Sequence, residues 1–254
     1  MNTKIALITG ATAGIGKGIA YKLAAENYKL IITGRRADRL EELADSLTNN
    51  FGIEVLTLNF DIRNRVETET VLKNLPEKWK AVEVLINNAG LAAGLDPVQT
   101  ANVDDWDQMI DTNVKGLLYA SSQLIPQMVA AKKGHIVNIG SIAGKETYAK
   151  GAVYCASKHA VDAITKGMRI DLLEFGIKVT AINPGMVETE FSEVRFKGDT
   201  TTAKKVYKGF TPLDANDIAE AVWFVLSRPA HVNINDMIIM PTAQASATNT
   251  FRNE

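Results

Sequence analysis

The feature that most constrains this chain is a repeated alternation of short, almost uninterrupted apolar runs with longer amphipathic stretches. The runs cover residues 5–9, 30–33, 55–58, 84–87, 135–139, 179–183 and 237–240. They predict seven strands, because near-continuous hydrophobicity is what a strand needs when both faces of its sheet are covered. Between them, helical periodicity runs over 16–25, 39–47, 66–75, 106–131, 154–174 and 218–226. Strand and helix in alternation, with right-handed crossovers, give an α/β fold: a single-domain, Rossmann-type, doubly wound parallel sheet of seven strands with helices on both faces. No Pro/Ser-rich linker, internal repeat or low-complexity stretch divides the 254 residues, so 1–254 reads as one domain. Such sheets receive ligands beyond the carboxyl ends of their strands. The residues that follow each run are therefore the place to look for chemistry.

After the first run comes Thr9-Gly10-Ala11-Thr12-Ala13-Gly14-Ile15-Gly16, leading into a helix. Gly10, Gly14 and Gly16 let backbone approach a pyrophosphate, with Thr12 and Ile15 carried in the same turn, and the helix N-terminus meets the negative charge. An ordinary strand-to-helix turn is the alternative, but the position at the first strand favours a dinucleotide. After the second run, where an Asp or Glu would receive the ribose hydroxyls of NAD, the chain reads Gly34-Arg35-Arg36. Two guanidiniums suit a 2′-phosphate, so NADP(H) is expected over NAD. The competing reading, that Arg35 and Arg36 flank a solvated helix start, places cations at the wrong end of a helix. Asp61 and Ile62, after the third run, are placed to bracket the adenine, unless Asp61 is a helix cap.

Tyr154 and Lys158 stand four apart in Tyr-Cys-Ala-Ser-Lys, and Ser141 lies thirteen residues upstream of Tyr154. On a helix, i and i+4 share a face, so the ammonium can sit near the phenol. A phenol of pKa ~10 must drop by about 3 units to serve as a base at neutral pH. A cation about 4 Å away supplies the required ~4 kcal/mol only at an effective dielectric near 20, in a partly dry cleft. Taken alone, the pair is ordinary amphipathic-helix content; its context decides.

The net charge of −1 argues against a nucleic-acid or membrane-surface binder and points to a small-molecule partner. Cys155 is the only cysteine, which excludes an intrachain disulfide, and it is expected to be a buried small residue. His135, His159 and His231 have no companions at ligand spacing, so no metal site is expected. The apolar run at 5–8 is too short for a signal peptide, and no run has the length of a membrane span. A soluble, cytoplasmic protein is expected.

Taken in order, Thr9 to Gly16, Asn87-Asn88-Ala89-Gly90, Asn113, Ser141, Tyr154, Lys158 and Pro184-Gly185 make the chain resemble the short-chain dehydrogenase/reductase family over nearly its whole length. The resemblance implies Tyr154 as catalytic base or acid, Ser141 orienting the substrate oxygen, Lys158 holding the nicotinamide ribose, and Asn113 supporting a water-linked proton relay. It places Asn87, Ala89 and Gly90 beside the cofactor, Pro184, Gly185 and Val187 along the nicotinamide, and Thr189 at its carboxamide. Residues 88–92, 188–192, 194–198 and 229–235 resemble the narrower branch of NADP-dependent serine and 3-hydroxy acid dehydrogenases. That likeness implies a cytosolic homotetramer acting on small 3-hydroxy acids such as L-serine, L-allo-threonine, 3-hydroxypropionate or 3-hydroxyisobutyrate.

Such a substrate needs a cation for its carboxylate. Arg195 is the best placed by sequence and Lys145 is another, with a solvated surface cation the alternative for both. Residues 188–210 are long enough to be a substrate lid. Arg195, Lys197, Lys204, Lys205 and Lys208 also fit a reductase that docks an acidic carrier protein with a 3-ketoacyl chain. A general carbonyl reductase and a non-catalytic NADP-binding regulatory protein are further alternatives. The polar tail 242–254 is expected to fray unless it packs on a neighbouring subunit.

Overall fold

The computed structural model describes residues 3–253. Seven strands, β1 (Ile5–Ile8), β2 (Lys29–Gly34), β3 (Val55–Asn59), β4 (Val82–Asn87), β5 (His135–Ile139), β6 (Lys178–Pro184) and β7 (Asp236–Ile239), form one parallel sheet in the order β3-β2-β1-β4-β5-β6-β7. Each matches one of the seven apolar runs to within two residues at either end. Helices α1 (Gly14–Ala25), α2 (Ala37–Phe51) and α9 (Ala215–Leu226) cover one face, and α3 (Arg65–Lys73) and α5 (Leu117–Ala131) contribute to the other.

The sequence pattern explains this sandwich residue by residue. Ala6 and Ile8 point to the α1/α9 face with Leu30, Ile32 and Ile86, while Ile5 and Leu7 point to the opposite face with Ile31 and Leu85. Alternate side chains are buried on opposite sides, which is why the runs are apolar without a break. At about 25 cal/mol per Å², each fully buried Leu or Ile contributes roughly 1.5–3 kcal/mol. Local signals start the helices. Asn64 caps α3, Asn102 caps α4 (Val103–Ile110), and Asp214 forms a capping box with Asp217 at α9.

Three expectations are corrected. The segment predicted as one helix over 106–131 is α4 and α5 joined by a π-helical turn, Asp111–Gly116. At its end Gly116 meets Ile62, whose Cγ2 would lie 2.9 Å from an added Cβ. Residues 188–210 are not structureless: they hold α7 (Phe191–Arg195) and α8 (Thr200–Lys205), pinned by Tyr207, which bonds Ser192 and the Val187 carbonyl. The tail does not fray. Arg252 donates to the carbonyls of Lys208 and Val206 and stacks on Phe210, and the Asn253 amide donates to Gly209. The sequence offers no periodicity from which this strap, built by main-chain acceptors, could be read.

His135 sits within the sheet, 5 % exposed, with Nε2 2.9 Å from the Thr180 hydroxyl. Burial, helped by Lys178 and Lys4, lowers its pKa to about 3. The folded protein therefore keeps a neutral imidazole that the unfolded chain protonates near pH 6.5. Its stabilisation is complete above that pH and is lost as pH falls toward 3. Between pH 7 and 4.5 the loss is on the order of 2–3 kcal/mol. Thermal melting across this range is expected to show a shallower acid slope in His135→Gln than in the natural protein; identical slopes would remove His135 as the cause.

Candidate active site

The chain order reverses between β1 and β4, and a cleft of about 340 Å³ opens there at the strands' carboxyl ends. Gly10 turns the chain with φ +68°, and an added Cβ would stand 2.9 Å from the Ala89 Cα. Only a glycine combines that dihedral with that approach. Gly16 lies behind the cleft wall, where a Cβ would meet the Gly10 carbonyl and Asn88 Nδ2. Asn88, not singled out from sequence as an individual contact, clamps the turn by donating to the Thr9 and Gly10 carbonyls at 2.9 and 3.0 Å. Gly10, Thr12, Gly14, Ile15, Ala89, Gly90, Pro184, Gly185, Val187 and Thr189 all line the cleft. Thr189 lies against Gly14 and accepts a hydrogen bond from the Phe191 amide.

Asn87 does not line it. Its side chain turns into the core, donating to Ser121 and Asn138 at 3.0 and 2.9 Å, and Asn138 donates on to Thr165. Strand alternation explains the difference from Asn88, since adjacent residues face opposite ways. Asp61 is not a helix cap, the role that falls to Asn64. It binds Arg63 at 2.6 Å and lies 3.9 Å from Arg35, and Ile62 is buried beside it in the cleft.

The two arginines differ. Arg35 is more than half exposed, while Arg36 donates to Thr12 Oγ1 at 2.9 Å and to Glu190 at 3.0 Å. Arg39 donates to both oxygens of the same carboxylate at 2.7 and 2.9 Å. Partial burial alone would raise the Glu190 carboxyl, but the bonds from Arg36 and Arg39 outweigh it and hold it below the usual range. Glu190 and Arg39 were not expected at this site. The partners are about 150 residues apart, and no local pattern links them.

The chemical end lies on α6 (Ala152–Asp171), where the shared helix face brings Tyr154 and Lys158 into the cleft, 8 % and 6 % exposed. Lys158 also finds an acceptor that its spacing from Tyr154 does not foretell. Lys158 Nζ donates to the Ile139 carbonyl at 2.9 Å, and burial brings its ammonium down to about 8. Burial and the neighbouring Tyr148 raise the Tyr154 phenol, while the Ser141 hydroxyl and the Arg195 guanidinium pull it down without prevailing. In this state the phenol is neutral. Ser141 caps the turn Ile142–Gly144 through the Ala143 amide and faces the phenol. Asn113, inside the π turn, stands behind the cleft. It exchanges two 2.8 Å bonds with the Leu91 backbone and donates to Ser157, whose hydroxyl bonds the Tyr154 carbonyl. The wide turn thus ties α6 to the loop after β4.

Arg195 and Lys145 also separate. Lys145 is taken by Asp162 and Asp236 and does not face the cleft. Arg195 stands 5.7 Å from the Tyr154 ring and 5.5 Å from that of Tyr148, and donates to the Gly94 carbonyl. No carboxylate pairs with it among the described residues. It lines a small hollow beside the cleft with Trp106, Val153 and Tyr154. Lys197, from the same basic run, is bound to Asp105.

The assembly of Ser141, Tyr154 and Lys158 beyond a glycine turn is met in a known family, and residues 4–199 match its model, described as short chain dehydrogenase. The chain belongs to the short-chain dehydrogenase family. It is an oxidoreductase acting on CH–OH groups. The NADP-dependent 3-hydroxy acid dehydrogenase of Salmonella typhi is 49% identical over 244 residues, covering 96% of this chain and 97% of that one. The enzyme of the same name from Schizosaccharomyces pombe is 40% identical over 255 residues, covering 100% and 98%. Among solved structures, the closed form of serine dehydrogenase complexed with NADP⁺ superposes with a TM-score of 0.91 at 45% identity, covering 98% of this chain and all of that one. No helix of the described residues is long and apolar enough to cross a membrane, and no three His, Cys, Asp or Glu gather as a metal site among them.

Proposed function

We propose that this short-chain dehydrogenase is NADP-dependent and acts on the hydroxyl of small 3-hydroxy acids, of the class of L-serine, L-allo-threonine, 3-hydroxypropionate and 3-hydroxyisobutyrate. The observation that carries the substrate class is Arg195, a guanidinium beside the Tyr154 ring with no carboxylate of its own among the described residues. A carboxylate on the carbon next to the reacting one would fall within its reach and receive a charge-assisted, bidentate bond. The printed names of the relatives support the same class.

The residues fit the cofactor. The glycine turn lines the cleft with main chain at Gly10 and Gly14, as a pyrophosphate's close approach requires, and Arg36 and Arg39 already hold an anion, the Glu190 carboxylate. Gly10, Thr12, Gly14 and Ile15 would hold the diphosphate, Arg35 and Arg36 the 2′-phosphate, and Lys158 the nicotinamide ribose. When bound, the nicotinamide supplies the hydride acceptor for oxidation or the donor for reduction.

The chain's own residues manage the proton and the oxygen. Ser141 donates to the substrate oxygen and fixes it next to the Tyr154 phenol. The neutral phenol is poised as the acid that protonates the oxygen in carbonyl reduction. In oxidation it must first lose its proton, helped by the Arg195 cation and by Lys158, and it then takes the proton of the substrate hydroxyl. Asn113 positions Tyr154 through Ser157 and the loop at Leu91, and supports proton exchange with water. A cytosolic homotetramer, with residues 188–210 as a lid, completes the reading.

Arg195→Ala is expected to lower kcat/KM for the free acids by about 10–100-fold, the worth of a charge-assisted bond, and to leave the methyl esters nearly unchanged. Michaelis constants for acid and ester in both proteins check this. An undiminished preference for the free acid removes Arg195 from the proposal.

A further inference from the structure

We propose that Glu190 is a latch: its carboxylate occupies the guanidiniums meant for the cofactor's 2′-phosphate, so that a phosphate-bearing cofactor must displace it and thereby frees the start of the segment that carries Arg195. The inference rests on the NADP reading given above and adds a role for a residue outside the catalytic set.

Three observations carry it. First, Arg36 and Arg39 converge on one carboxylate, at 3.0 Å and at 2.7 and 2.9 Å, although that carboxylate comes from a distant part of the chain. Arg36 is at the same time held by Thr12 of the glycine turn at 2.9 Å. Its guanidinium is therefore fixed in place whichever anion it serves. Second, Glu190 immediately precedes α7, and Arg195 closes that same helix against Tyr154. A five-residue helix transmits a displacement at one end to the other. Third, the contact is part-exposed, about 40 % on each of the three side chains, so an incoming anion can reach it and the pairs are not locked by burial.

A phosphate monoester brings close to two negative charges and three acceptor oxygens to a set now satisfied by one carboxylate. It should displace Glu190, whereas the bare ribose hydroxyls of NAD bring no charge to compete. The carboxylate would then compete with the phosphate alone, and a cofactor that lacks the phosphate would leave α7 tied to the cofactor wall. Binding of the phosphate is reduced by the fraction of molecules in which the latch is closed.

The test compares the natural chain with Glu190→Gln, which keeps the side chain's size and removes its charge. NADPH and NADH affinities are read by fluorescence, and amide hydrogen exchange of residues 191–205 is followed with adenosine 2′-phosphate or with AMP. The latch predicts that Glu190→Gln tightens NADPH by about 3–10-fold and leaves NADH unchanged. It also predicts that adenosine 2′-phosphate, not AMP, speeds exchange in the natural chain, and that the variant exchanges at the faster rate without ligand. If NADPH binds preferentially but the variant binds it no better, or exchange ignores adenosine 2′-phosphate, the latch is overturned and the cofactor reading stands. If the natural chain shows no preference for NADPH over NADH, both fall.

Discussion

Tyr154→Phe is expected to lower turnover by about 10²–10⁴-fold or more in both directions, the usual reach of a positioned proton donor and acceptor, while NADPH binding stays within a few-fold of the natural value. The variant keeps the ring that packs edge-on against Phe191 at 5.8 Å and lies under Arg195 at 5.7 Å, so the cleft wall is preserved. What it loses is the hydroxyl facing Ser141, the group proposed to exchange a proton with the substrate oxygen. Stability should hardly change, because the phenol is buried and neutral and its removal strands no charge. Steady-state kinetics, NADPH fluorescence and a melting curve on one preparation separate these effects. Full activity in the variant would overturn the mechanism, and loss of NADPH binding would show that the phenol builds the cofactor site instead of acting on the substrate.

The double variant Arg35→Ala with Arg36→Ala is expected to raise the Kd of NADPH by about 10²–10⁴-fold, since each guanidinium offers the phosphate a charge-assisted bond worth roughly 1.5–3 kcal/mol. The Kd of NADH should move little. Both side chains are more than two-fifths exposed, so their truncation costs the core nothing; Arg36 gives up only its bonds to Thr12 and Glu190. The prediction is sharpened by Arg39. It shares Glu190 with Arg36 and is left in the double variant to bind a phosphate by itself. Titrations of NADPH and NADH at fixed ionic strength check it, because exposed charges are screened by salt. Equal weakening of both cofactors would mean that the arginines shape the turn rather than read the phosphate.

Much of this molecule is written in local pattern. The apolar runs lie within two residues of the strands, and their unbroken character reports that Leu7 and Ile8 are buried on opposite faces of one sheet. The spacing of Tyr154 and Lys158 places both on the cleft side of α6, and the glycines at 10, 14 and 16 foretell a close backbone approach that Ala89 and Asn88 make necessary. These are legible because a strand repeats every two residues and a helix every 3.6, so neighbours in sequence declare their common face. A π turn inside an otherwise helical run leaves that periodicity nearly intact, which is why Asp111–Gly116 did not show.

Partner choice belongs to the tertiary structure. Sequence offered Lys158 a phenol one turn away, but the fold places the Ile139 carbonyl at 2.9 Å, and in a dry site a buried ammonium takes the acceptor at hand. Sequence ranked Arg195 ahead of Lys145 for the substrate's carboxylate, but only the fold shows Asp162 and Asp236 neutralising Lys145 while Arg195 stands beside the Tyr154 ring. Arg36 meets Glu190 across 154 positions of chain. Charge acts through space and falls off within a few ångströms of protein and solvent, so which charges meet depends on where the folded backbone carries them. The sequence by itself determined the sheet, the glycine turn and the cleft-lining face of α6; the tertiary structure alone decided which cation each anion found.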